Sequence, residues 1–202
     1  NGLESSSTEA VGSNSEARLK SIINALRAGE PEGWTGAFGE DGNIRYMKAQ
    51  AGENGRGHRY IESSGVSAAT GTPTTVIMPF KLEKGGTPGA AFILLPMTGE
   101  SPAVGGVTAT HGENGFTLRM PENATVDGKV NRVGNTYAYG EWHIAVVHWN
   151  TAFDKIRIGT SHVANTGRTV RIGAGFEIVQ GDVSKAADKG AALMTGFGIA
   201  AA

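Results

Sequence analysis

The chain contains no cysteine. That excludes disulfides, thiolate nucleophiles and thiolate-bound zinc, so packing alone has to hold the fold, and the redox compartment stays open. Excess charge is missing as well: 18 Lys and Arg stand against 19 Asp and Glu, a formal net charge of -1. No global basic field is available to hold nucleic acid or an anionic membrane surface. No apolar run approaches the roughly 20 residues of a membrane-crossing helix. The opening NGLESSSTEA has neither a basic region nor an apolar signal core. These absences predict a soluble protein without a visible address, with no nucleic acid partner and no membrane insertion. The first residue is Asn1 rather than Met, which suggests a processed chain or a piece of a longer one.

What is abundant is glycine, with 31 residues, about twice the usual share of roughly 7%. Without a collagen period, this points to many tight turns between short strands.

Residues 1–32 read as a flexible arm followed by one amphipathic helix. Ser13 and Glu16 have capping-box spacing, Leu19, Ile22, Ile23 and Leu26 fall on one helical face, and Gly29 with Pro31 ends the pattern. That stripe fits docking on the following domain or a short homotypic bundle.

Residues 33–202 change to a period of two. Strands are predicted over 43–49, 74–82, 90–97, 105–110, 115–120, 135–139, 141–150, 155–160, 168–174 and 176–180. EDGN, GENG, EKGGTPG and VDGK lie between them as turns. Short strands at this spacing argue an all-β antiparallel sandwich. The Gly/Ala-rich tail from Val183, with Leu193, Met194, Phe197 and Ile199, is predicted to close a sandwich edge or to contact a partner.

The run EWHIAVVHWN (141–150) is the most informative stretch. Alternation sends Trp142, Ile144, Val146 and His148 to one face and His143, Ala145, Val147 and Trp149 to the other. Both faces are mainly apolar, which places the strand mid-sheet, with the core on one side and a second layer, loop or ligand on the other. The two histidines cannot share a metal ion. Trp149, beside a loop, is either core or a ring on which a sugar stacks.

WHIAVV (142–147), DKIRIG (154–159), VRIGA (170–174) and FEIV (176–179) together resemble the closing half of laminin-G-like and concanavalin-like jelly rolls. EIVQGD departs from the usual ending of that family. The resemblance implies a jelly-roll sandwich that hosts lectins, glycanases, lyases or adhesion modules. It also implies calcium as a common cofactor, although Asp127, Asp154 and Asp182 form no clustered ligand string. None of the chain's own residues is assigned to a cofactor or metal.

Catalytic patterns are missing. A glycanase needs paired carboxylates on one side of the sugar, and no E-x-D-x-E string is present. A nucleophile elbow, a phosphate loop and a zinc helix are absent too. The candidate ligand-binding residues are Trp149, His148, Tyr137, Tyr139, Arg132, Asn135, His111 and Arg168, because aromatic faces, amides and guanidinium forks suit the hydroxyl pairs and C–H patches of sugars. The expected function is a non-catalytic glycan-binding or adhesion module on a phage or phage-like fibre or spike, at a virion or extracellular surface. Expected partners are cell-surface polysaccharide and further copies of the chain, a trimer among the possibilities. The alternatives are a structural virion protein contacting other virion subunits, and a polysaccharide-degrading enzyme.

Overall fold

The computed structural model describes residues 35–42, 44–50, 61–63, 67–85, 89–158, 169–181 and 186–200. The predicted N-terminal helix, Arg168 and Asp182 lie outside them. In chain order the strands are β1 (Thr35–Asp41), β2 (Ile44–Gln50), β3 (Ile61–Ser63), β4 (Thr74–Leu82), β5 (Gly89–Thr98), β6 (Ser101–Pro102), β7 (Val107–His111) and β8 (Phe116–Arg119). There follow β9 (Thr125–Val126), β10 (Lys129–Val130), β11 (Thr136–Tyr137), β12 (Trp142–Trp149), β13 (Lys155–Ile158), β14 (Thr169–Gly173) and β15 (Glu177–Gln180). One helix, α1 (Ala186–Gly196), ends the described chain.

The strands form two antiparallel sheets, as the alternation predicts. The first runs β1-β2-β14-β4-β12-β9-β10, with β15 also on β4; the second runs β11-β8-β7-β5-β13-β3, with β6 on β5. Between them lies a core that includes Val76, Met78, Phe80, Ala145, Val147, Phe116, Ile156 and Ile172. These come from alternate positions of their strands, the period-two signature of a face turned inward.

β14 and β15 act as one interrupted strand beside β4. Ile172 pairs with Phe80 and Glu177 with Ile77, so the register slips by two residues across 173–176. Gly175 takes a φ of 93° inside the slip. Pro79, which has no N–H for a ladder, sits opposite this interruption, the place where a central strand tolerates proline.

The outward face of the first sheet is covered. Ile44, Ile77 and Ile144 form a second apolar cluster with Ala186, Leu193, Met194 and Phe197. Of the coverings expected over β12, a second layer, a loop or a ligand, helix α1 supplies the first, although the sequence pattern predicted no helix in this tail. A β-carbon on Gly190 would lie 2.9 Å from Val146 Cγ2, so the helix sits unusually close to the strand. Lys189 on α1 faces Glu177 on β15 at 3.5 Å, both side chains almost fully buried.

Candidate functional site

At one end of the sandwich the chain closes on His143. This residue lies on the inward face of β12, packed among the rings of Phe80, Phe116 and Tyr137. The VDGK turn between β9 and β10 places Asp127 and Gly128 at φ 53° and 79°, the paired left-handed conformation of a two-residue hairpin. That turn aims Asp127 at β12, where its Oδ1 accepts from the Ile144 N–H at 2.8 Å and its Oδ2 lies 2.8 Å from His143 Nδ1. The other ring nitrogen, Nε2, is 3.1 Å from the Ala138 carbonyl. A neutral imidazole has one N–H, and here both nitrogens face acceptors, so the arrangement is satisfied by imidazolium. Burial pulls the His143 pKa down, but the Asp127 bond, the Ala138 carbonyl and the charges of Asp127 and Glu141 outweigh it and raise the pKa above its ordinary value.

Several predicted site residues gather here. Tyr139 stacks on His111 at 5.7 Å and donates to the Gly112 carbonyl. Tyr137 packs on Phe116 and donates to Asn131 Oδ1 at 2.6 Å. His111 is buried, while Arg132 and Asn135 are exposed on the loop before β11. The other two described candidates lie elsewhere. Trp149 belongs to the core, 4% exposed and edge-on to Phe153. His148 is on the opposite, outward face of β12, with Nδ1 3.1 Å from Thr75 Oγ1, beside a recess of about 310 Å³ under α1.

A different place offers uncommitted polar groups. On the outward face of the second sheet, register sets Phe92 of β5 beside Thr108 of β7, and Thr108 beside Arg119 of β8. Direct cross-strand partners share a face, so an aromatic ring, a hydroxyl and a guanidinium form one transverse row. The row lies in an open groove of about 410 Å³, within the size range of small-molecule sites, with Glu122 and Met120 along one side and Val104 to Gly106 along another. A β-carbon on Gly106 would overlap the Leu94 carbonyl oxygen, so only glycine lets this wall sit so low. Phe92 is half-buried, whereas Arg119 and Glu122 are exposed. Among the described residues neither charge has an ion-pair partner. Thr110 and Thr117, paired one step along the same face, extend the polar surface.

Phe92, Thr108 and Glu122 were not among the sequence candidates. Alternation within TAT and FTLR marks outward positions, but only the pairing of three strands makes them one row.

Among the described residues no three metal-ligating side chains converge. Two of the carboxylates considered for calcium are engaged instead: Asp127 as above, and Asp154, whose Oδ2 accepts from the Gly99 N–H at 2.7 Å. No helix among the described residues is long and apolar enough to cross a membrane.

No family model matches the chain, and no curated protein does. Solved structures that the chain matches include two of β-sandwich modules. One, described as "CBM4 structure and function", has a TM-score of 0.42 at 8% identity over 75% of this chain and 94% of that one. The other, a CBM29-2 mutant from work on ligand recognition by family 29 carbohydrate binding modules, has a TM-score of 0.30 at 14% identity over 74% and 86%. Likenesses this distant carry no argument about the site.

Proposed function

We propose that this chain is a non-catalytic glycan-binding module whose ligand lies in the groove across β5, β7 and β8. The observation that carries the reading is the row Phe92, Thr108 and Arg119 on one open face. A ring of this kind stacks on the C–H face of a sugar, a guanidinium fork takes a pair of hydroxyls, and Glu122 accepts from further hydroxyls. Hydrolysis of a glycosidic bond needs two carboxylates across the bond, and Glu122 is the one carboxylate on the described lining. The setting proposed for the module is an exposed phage or phage-like appendage such as a fibre or spike, a reading motivated by the Gly-rich, Cys-free composition. It is tested by immunolabelling of particles.

The alternative of a subunit-contact protein drew on the apolar N-terminal helix, which lies outside the described residues, and on the Gly/Ala-rich C-terminal tail. That tail turns Leu193, Met194 and Phe197 onto its own sheet, which weakens the second of these motives.

Affinity electrophoresis against a panel of bacterial envelope and plant polysaccharides tests the reading. At least one polymer should retard the protein, and Phe92→Ala and Arg119→Ala should each weaken retention about tenfold, since each removes an anchor worth on the order of 1 kcal/mol. Folded protein that no polymer retards, or Phe92→Ala that behaves as wild type, would defeat it.

A further inference from the structure

A second cleft, of about 400 Å³, opens on a different part of the surface, at the lateral edge where the β9–β10 hairpin of one sheet meets β11 of the other. Lys129 and Asn135 stand on its rim, the Tyr137 ring forms one wall, and Ile199 forms an apolar one, with the buried Val126 beneath. Asp127 also borders it, yet both of its oxygens are engaged, Oδ1 by the Ile144 N–H and Oδ2 by His143. Neither Asp127 oxygen is therefore open to a ligand in the cleft. The charge left on the lining is the Lys129 ammonium, which is exposed and has no ion-pair partner among the described residues.

We propose that this cleft is a second binding site, independent of the groove, for a carboxylate-bearing sugar of the hexuronate class. Lys129 takes the carboxylate as a point charge, and one uncompensated cation matches a monoanion rather than a phosphate dianion. Asn135, whose side chain also bonds the Tyr137 hydroxyl, supplies its remaining amide groups to ring hydroxyls, and Ile199 with Tyr137 takes the C–H face. The Tyr137 hydroxyl is already given to Asn131, so the ring acts here as a surface.

The test is a titration followed by amide NMR shifts with three probes: free glucuronate, glucose, and soluble polygalacturonate. Glucuronate should perturb residues at Lys129 and Asn135, and glucose should bind at least about tenfold more weakly because it lacks the charge. Lys129→Gln should lose about tenfold in glucuronate affinity, Lys129→Arg should keep it, and added salt should weaken it. Phe92→Ala should leave it unchanged, which separates this site from the groove. Polygalacturonate binding without glucuronate binding would support the site and assign it to residues within a polymer; the reverse would support it and assign it to the free acid. Equal binding of glucose and glucuronate, wild-type affinity in Lys129→Gln, loss in Phe92→Ala, or no shift with either uronate would overturn the proposal.

Discussion

Asp127 and His143 face each other at 2.8 Å at one end of the sandwich, the carboxylate from a hairpin turn and the imidazole from the inward face of the neighbouring strand β12, near its start. This pair ties the β9–β10 hairpin to β12, and it makes folding sensitive to pH.

The folded His143 pKa is raised above its unfolded value of 6.5. A raised pKa contributes stability that is fully present below about 6.5 and is lost as pH rises through the folded value. The difference in thermal midpoint between wild type and His143→Gln should therefore be largest in mildly acidic buffer and shrink toward alkaline pH. A difference that grows with pH would show that the imidazole is buried neutral.

Asp127→Asn keeps a side chain that tolerates the left-handed turn and can still accept from Ile144. It removes the charge opposite His143, at a position about a quarter exposed. Urea unfolding should show a loss of about 2 kcal/mol, below the range for a fully buried pair.

Trp149 and Phe92 should behave in opposite ways. The Trp149 indole N–H is buried without a hydrogen-bond partner among the described residues, so Trp149→Phe removes an unsatisfied donor while leaving a small void. It should cost less than about 1.5 kcal/mol and leave polysaccharide retention intact. Phe92→Ala should abolish most retention with a modest stability change. Reversal of this pattern in parallel electrophoresis and unfolding measurements would return the ligand to the Trp149 end.

The Lys189–Glu177 contact holds α1 to the sheet. Lys189→Met removes this cation from Glu177, which is 2% exposed, and should destabilise by about 3 kcal/mol. The double change Lys189→Met with Glu177→Leu should recover part of that loss. If it recovers none, the ion pair contributes net stability beyond what an apolar pair provides.

Gly106→Ala should cost on the order of 3 kcal/mol, because its β-carbon would overlap the Leu94 carbonyl and force backbone to move. A folded variant with wild-type unfolding would mean that β5 and the loop before β7 sit further apart than described.

Most strands were legible because side-chain alternation is a local property of extended backbone. Thr74–Leu82 is recovered to the residue, and the two-faced reading of EWHIAVVHWN is correct: one face meets the core and the other meets a second layer. The short strands β3, β6, β9 and β10 carry too few residues for a period to register, and β1, TGAFGED, is interrupted by two glycines. Helix α1 was missed for another reason. AADKGAALMTG contains two glycines and a weak apolar stripe, so its helicity depends on burial against Ile77 and Ile144.

Alternation alone settles which positions of the longer strands point inward and that His143 and His148 cannot meet, because period two follows from backbone geometry. The tertiary structure decided which strands lie side by side. That long-range choice set Phe92, Thr108 and Arg119 in one row, turned the Asp127 carboxylate onto His143, and enclosed Trp149. Cross-strand register depends on pairings between segments distant in the chain, and no local pattern carries it.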